Sequence, residues 1–253
     1  MPVSVGPARP LTAGVFNDVL SMQTSYLTDK DVLAALLPPA FEPDDEPLVT
    51  VYYRKCSGVN FLAGGCYSMM GLNLASHFRG RQDDVRGDYA LVLWENHIFP
   101  ILRGRELLGV PKLLADIPDP LVSGNNWFVQ ASDAGSSLLH LNIRGAQPAG
   151  SAVLDHMRAR QKQWRWLSWR YIPNVDGAGA ALSEPTLIGW EGTIAEAWTG
   201  SGAVGFGDVT WEVSPLSGDI LPTLKALVVR EYVQSTITRG PATLTRALHR
   251  VLH

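Results

Sequence analysis

Among the five lysines, Lys30, Lys55, Lys112, Lys162 and Lys225, one sits in surroundings that do not suit a charge. Lys112 lies in Leu107-Leu108-Gly109-Val110-Pro111-Lys112-Leu113-Leu114-Ala115, whereas the other four stand among polar residues or near helix ends. Desolvation disfavours an ammonium, so a lysine buried there would carry a neutral amine able to attack a carbonyl carbon and form a Schiff base. A second reading fits the same residues: the side chain snorkels from a strand end to water while its neighbours face the core. Other chemistries find less support. His77, His97, His140 and His156 have no serine motif or paired carboxylate that would make a hydrolase triad. Cys56 and Cys66 are too few for a disulfide framework, make no zinc spacing with the histidines, and read as buried thiols. Gly64-Gly65 and Gly200-Ser201-Gly202 read as turns, since no phosphate-binding helix follows them. Trp164, Trp166 and Trp169 with Arg165 and Arg170 resemble a stacking strip, but aromatic strand residues more often belong to a core or a subunit interface.

The elements that must position Lys112 read as predominantly β. The 253 residues, 46% hydrophobic and 18% charged, can bury one large core, and an all-β domain of this length is common. Strands are predicted over 48–53, 89–94, 127–131, 138–143, 164–172, 186–196 and 209–213, where branched and aromatic residues are bounded by Gly, Pro, Asn or Asp. Helices are predicted from Asp29 to Leu37, over 152–162, from Pro222 through Val233, and over 242–252. Residues 1–14, with three prolines and two glycines, read as an irregular arm. The expectation is one α+β domain over 1–253, built on a barrel or sandwich. A net charge of -3 with scattered Lys and Arg argues against a nucleic-acid partner. No apolar run approaches the roughly 18 residues of a membrane span, and the prolines near the start replace the greasy segment of a signal peptide. A cytoplasmic protein with no membrane partner is expected.

Short motifs extend the reading. Gly104-Arg105-Glu106-Leu107 followed by Pro111-Lys112 resembles the segment around the Schiff-base lysine of the acetoacetate decarboxylase superfamily. Glu46-Pro47-Leu48-Val49, Gly65-Cys66-Tyr67, Arg86-Gly87-Asp88-Tyr89, Ile172-Pro173-Asn174-Val175-Asp176-Gly177 and Glu196-Ala197-Trp198-Thr199-Gly200 resemble further segments of that family, in the same order. The resemblance implies a cone-shaped antiparallel β-barrel surrounded by further strands and helices, a homo-oligomer of four or more chains, a lysine nucleophile at Lys112 and no cofactor.

The same resemblance exposes departures. The second lysine that follows the nucleophile in decarboxylases is Leu113 here. The family's active-site arginine falls near Val19, and its two pocket glutamates fall on Tyr52 and Met69. Relatives that condense pyruvate carry a glutamine four residues before the lysine, where this chain has Leu108. The amine is kept while its charged company is lost. This implies a Schiff-base lyase acting on a 2-oxo acid or related ketone by aldolase-dehydratase or hydratase chemistry, with Lys112 as nucleophile and Tyr52 as proton donor or acceptor, the equal alternative for Tyr52 being a strand residue whose ring fills the core. Val19, Met69 and Leu108 would line the substrate, and Glu231 and Tyr232, on the predicted C-terminal helix, could reach the barrel mouth, although Glu231 reads more simply as part of a solvated helix face. Arg105 and Glu106 are expected to pair with each other or with backbone and hold the strand. Two alternatives remain: a decarboxylase of a bulky apolar β-keto acid, and a non-catalytic barrel that binds an apolar small molecule.

Overall fold

The computed structural model describes residues 13–253. All of the predicted arm except Ala13 and Gly14 lies outside the described residues, and these two open the first strand. In chain order the elements are β1 (Ala13–Leu27), α1 (Lys30–Ala34), β2 (Phe41–Pro43), β3 (Leu48–Val59), β4 (Gly65–Arg79) and β5 (Asp84–Glu95). Next comes α2 (Ile98–Arg103), which runs into a single π-helical turn over Gly104–Leu108, and then β6 (Lys112–Leu114), β7 (Leu121–Ser123), β8 (Asn126–Asp133) and β9 (Ser136–Pro148). The second half holds α3 (Ser151–Gln163), β10 (Trp166–Pro173), β11 (Ala180–Ile188), β12 (Trp190–Gly192), β13 (Glu196–Phe206), α4 (Pro215–Lys225), β14 (Glu231–Thr245) and β15 (Arg250–Val251). No helix among the described residues is long and apolar enough to cross a membrane.

The strands form one 15-stranded sheet in the order β15-β11-β10-β5-β4-β3-β1-β14-β13-β9-β8-β7, with β12 on β14, β2 on β4 and β6 on β5. The predominantly β, α+β class is as expected. Two pairings, β10 with β5 and β5 with β6, are parallel, so the sheet is mixed rather than wholly antiparallel. The sheet curls until β9 touches β1, β3 and β14, yet its path stays open between β15 and β7 among the described residues.

Alternation along β1, β3, β4 and β5 sends successive side chains to two different cores. One face carries Met22, Val51, Tyr53, Met70, Leu72, Val92 and Trp94, all buried, and packs against Leu221 and Leu224 of α4. Trp94 donates its indole N–H to Ser217 Oγ at 3.2 Å, so the ring enters this core without leaving an orphan donor. The other face carries Tyr52, Cys56, Met69 and Leu93, joined by Val19, Leu108, Val110 and Trp166. Cys66 is exposed, so only one of the two thiols is buried.

Several elements differ from the sequence prediction. Helix α4 begins at Pro215, seven residues before the predicted start, and Pro222 lies inside it. Residues 226–233 leave the helix, and Glu231 and Tyr232 open β14 instead. β14 runs on through Thr245, where a helix was predicted, because it pairs with β1 from Leu27 to Ala13 and the ladder outweighs a local helical spacing. Residues 209–213 form a turn instead of a strand. Helix α1 is a single short turn without a side-chain cap: the Asp29 carboxylate is drawn away by Arg230, which binds it with two hydrogen bonds of 2.9 and 2.7 Å.

Candidate active site

Lys112 opens the short strand β6 at the end of a tightly held connection. The π-helical turn stops at Gly109, whose φ of 74° is left-handed. A β-carbon there would lie 2.4 Å from Arg170 Cα on β10, so glycine serves both the turn and the close approach. The hydroxyls of Ser168 and Thr186 donate to the carbonyls of Gly109 and Leu108 at 3.0 and 2.7 Å. Arg105 donates to the carbonyl of Lys112 itself at 2.9 Å, the strand-holding contact with backbone foreseen for this motif. The base of the lysine side chain is therefore fixed before its amine is considered.

The Lys112 side chain runs inward and is only 7% exposed, which rules out a snorkelling cation. Its Nζ lies 2.7 Å from Glu95 Oε1 and 3.2 Å from the carbonyl oxygen of Pro100. Glu95 is the last residue of β5 and is fully buried, and its second oxygen, Oε2, has no partner among the described residues. Burial pushes the Glu95 carboxyl above its usual range, while the neighbouring Lys112 charge opposes the rise. A buried carboxyl so poised can take the ammonium proton that a lysine must lose before it attacks a carbonyl. Glu95 was not foreseen in the sequence.

Two parallel rows of side chains spread from this pair across the inner face. Across β1, β3, β4, β5 and β6 the first row is Gln23, Tyr52, Gly71, Leu93 and Lys112. The second, two residues along, is Ser21, Arg54, Met69 and Glu95. Tyr52 and Met69 thus stand in the rows that end at Lys112 and Glu95. A β-carbon on Gly71 would be 3.1 Å from the Tyr52 oxygen, so the phenol reaches from β3 over β4, toward the lysine side of the sheet. That oxygen is buried without a partner among the described residues, and burial pushes the phenol well above its ordinary value. Val19 and Leu108 belong to the same buried cluster as Tyr52 and Met69, so four of the residues singled out in the sequence come together. Met70, on the alternate face, is core.

Glu231 and Tyr232 do not join them. Both are exposed at the start of β14, where the Tyr232 hydroxyl accepts from the backbone N–H of Val204 at 3.2 Å and the ring meets Tyr26 edge-on. The assignment of these two residues to the substrate site is corrected: it assumed a helix that the structure replaces with a strand on the far side of β1.

Arg54 is a further residue the sequence did not reveal. Its guanidinium carbon lies 4.8 Å from the ring centre of Tyr52, 5.4 Å from Trp164, 6.0 Å from Trp166 and 5.0 Å from Trp190. Its Nη1 is buried without a hydrogen-bond partner among the described residues, as is Trp166 Nε1. Trp164 and Trp166 of the suspected stacking strip thus wall an arginine. Arg54 and Tyr52 border a polar cavity of about 560 Å³, which Gln23, Thr50, Asn73 and Asp88 also line. Lys112 does not line this cavity; it stands across Gly71 and Leu93 from Tyr52 in the first row.

Comparison with known proteins places this geometry. A family model described as acetoacetate decarboxylase matches residues 1–251. The acetoacetate decarboxylase of Paraburkholderia xenovorans is 27% identical over 235 residues, covering 93% of this chain and 84% of that protein. The Clostridium acetobutylicum enzyme is 28% identical over 201 residues, covering 77% and 75%. Among solved structures, acetoacetate decarboxylase from Legionella pneumophila superposes with a TM-score of 0.76 at 21% identity, covering 100% and 93% of the two chains. The enduracididine biosynthesis enzyme MppR complexed with pyruvate gives 0.72 at 16% identity, covering 98% and 93%. An acetoacetate decarboxylase-like enzyme from Sphingomonas wittichii gives 0.71 at 19% identity, covering 95% and 92%.

Proposed function

We propose that this chain, which belongs to the acetoacetate decarboxylase family, is a cofactor-free lyase that binds a 2-oxo acid or related ketone as a Schiff base on Lys112. The reading is carried by one observation: the buried Lys112 amine is 2.7 Å from Glu95 Oε1, while Glu95 Oε2 has no partner among the described residues. Glu95 accepts a proton from the ammonium, and the freed amine adds to the carbonyl carbon. The resulting carbinolamine loses hydroxide as water, with Glu95 returning the proton, and a protonated imine remains. That iminium draws electrons from the adjacent carbon, so a proton lost there gives an enamine, which can add to an aldehyde or expel a hydroxyl group. Tyr52, its phenol kept protonated by burial, donates to the departing or arriving oxygen. Aldolase-dehydratase or hydratase chemistry is the exit this arrangement favours. It is the direction in which the likeness to MppR, a protein complexed with pyruvate, also points.

The experiment is reductive trapping. Incubation with pyruvate and a borohydride should add one reduced adduct to the peptide containing Val110-Pro111-Lys112-Leu113. Lys112→Ala should abolish it, as should Lys112→Arg, because a guanidinium stays charged and cannot form the imine. Adducts spread over Lys30, Lys55, Lys162 and Lys225 with Lys112 spared would overturn the reading.

A second reading, decarboxylation of a bulky apolar β-keto acid, is favoured by the apolar wall of Val19, Met69 and Leu108 and by the names of the relatives. Carbon dioxide release without aldol or hydration products would select it. In either case acetoacetate itself should turn over poorly, since Val19 and Met69 offer its carboxylate no charge-assisted hydrogen bond.

A further inference from the structure

We propose that Arg54 is the receptor for the substrate's carboxylate, so that the site selects anionic oxo acids over neutral ketones. The inference rests on the Schiff-base reading for the role of Lys112, but its own observations are separate. A buried donor of a charged group is costly to leave unpaired, and Arg54 Nη1 is such a donor. No carboxylate oxygen lies within 4.0 Å of Arg54 among the described residues; Asp88, in the cavity wall, feels the Arg54 charge from beyond that distance and is hydrogen-bonded by the Trp164 indole at 2.7 Å. Four aromatic rings pack against the guanidinium, and although Arg54 as a whole is half-buried, its Nη1 is out of contact with water, which strengthens a pairing of that nitrogen with an anion.

One more donor without a partner among the described residues stands beside it, Trp166 Nε1; the Tyr52 ring packs against the guanidinium while its hydroxyl reaches over Gly71. Tyr52 and Arg54 are two residues apart on β3 and face the same way, toward a cavity large enough for a small organic acid. The idle Arg54 Nη1 and Trp166 Nε1 can both donate to the oxygens of one carboxylate. The position also suits the lysine. The strands β3 and β6 are three spacings apart, about 14 Å between backbones, with Arg54 and Lys112 projecting from the same face and Tyr52 between them. We place the carbonyl of an acid held at Arg54 on the Tyr52 side of the cavity, the side nearer to Lys112 in the row Tyr52, Gly71, Leu93 and Lys112.

Two measurements test this. L-Lactate carries the carboxylate but cannot form an imine. It should produce a saturable change in tryptophan fluorescence, because Trp164, Trp166 and Trp190 surround Arg54. Arg54→Gln should weaken its affinity by about 10- to 100-fold, the range expected for losing charge-assisted hydrogen bonds. Arg54→Lys, which keeps the charge but loses the forked geometry, should fall between, and carries the test if Arg54→Gln does not fold. In the second, trapping with pyruvate is compared with trapping by its neutral methyl ester, and the ratio of the two adducts at Lys112 should drop ten-fold or more in either variant. No lactate response in the wild-type protein, or an unchanged ratio in both variants, would overturn the proposal. Absence of any Lys112 adduct in the wild type together with a normal, Arg54-dependent lactate response would instead remove the Schiff-base reading and leave the anion site standing.

Discussion

Gly104 and Lys112 are packed so closely that a β-carbon on Gly104 would lie 2.4 Å from Lys112 Cε and 2.7 Å from its Nζ. The backbone of Gly104 is ordinary helix, with φ of -66° and ψ of -40°, so glycine is not needed there for conformation. It is needed for room. The residue stands where α2 passes into the π-helical turn, and the lysine side chain crosses that bare spot to reach Glu95 and the Pro100 carbonyl.

Gly104→Ala should accordingly displace the amine while leaving the fold intact. Alanine is the better helix former by about 1 kcal/mol, so the thermal midpoint should move little. A displacement on the order of 1 Å at a reacting group can cost about 10²-fold, and reductive trapping at Lys112 should slow by at least a tenth of that range. Trapping at the wild-type rate would show that the lysine reacts from a different rotamer and that the Glu95 contact is incidental.

Glu95→Gln keeps the shape and one acceptor oxygen for Lys112 but cannot take a proton. Imine formation, followed by rapid-quench borohydride trapping, should slow by about 10²- to 10⁴-fold, the usual contribution of a positioned acid or base. Glu95→Ala separates chemistry from charge balance, because it leaves the Lys112 ammonium buried without its partner. A stability loss of about 3–5 kcal/mol is expected, read by denaturant unfolding. Glu95→Gln with undiminished imine formation would reduce the carboxylate to a structural counter-ion.

Lys112 was legible because a single lysine in an apolar run is locally odd, whereas Glu95 and Arg54 were not, for reasons that lie in tertiary structure. Predicted strands ended at Tyr53 and Trp94, one residue short of each, and a charge at a strand end reads as its exit into solvent. β3 instead continues to Val59 and carries Arg54 onto the same face as Tyr52. Glu95 is covered because β6 comes in parallel beside β5, a pairing that no local pattern announces. The walls around Arg54 come from Trp164, Trp166 and Trp190, more than a hundred residues on. β1 escaped for a related reason. Its Ser21, Gln23 and Ser25 look like loop residues, but these side chains point to the polar side of the inner face, and Gln23 and Ser25 line the cavity. A strand that borders a polar site loses the apolar alternation by which strands are recognised. The motifs from Glu46 to Gly200 were enough for the family and the β-rich class, since neither depends on these details.

One pH response follows from His249. Its Nδ1 accepts the backbone N–H of Gly189 at 2.8 Å, so the folded protein needs this nitrogen unprotonated. Burial, aided by the nearby Arg246 and Arg103 charges, lowers the imidazole to about 4. An unfolded chain would bind this proton near pH 6.5. The contribution is thus fully present above about 6.5 and is lost as pH falls toward 4, because the unfolded state takes up the proton first. Calorimetric midpoints should decline across that window, and His249→Gln, whose amide oxygen can still accept from Gly189, should show a shallower decline. Parallel slopes for the two proteins would refute the assignment.

Tyr52 offers the sharpest separation between forming the imine and using it. Its hydroxyl is buried, unpartnered and reaches over Gly71 toward the lysine side of the sheet, while its ring is wedged against Arg54. Tyr52→Phe removes one oxygen and leaves the ring, so packing in the cluster with Val19, Met69 and Leu108 should persist and the melting midpoint should hold within a few degrees. Lys112 and Glu95 are untouched, and the rate of imine formation measured by trapping should stay within a few-fold of wild type. Steps after the imine need a proton delivered to or taken from the substrate oxygen, and these should slow by about 10²-fold or more. Deuterium exchange at the carbon beside the imine, followed by NMR, reports enamine formation; dehydration or aldol turnover, followed by absorbance, reports what comes later. Exchange that persists while turnover falls places the phenol at the leaving or entering oxygen. Equal slowing of trapping and turnover would make Tyr52 a packing support for the lysine, and no slowing of either would leave it a core tyrosine with no part in the chemistry.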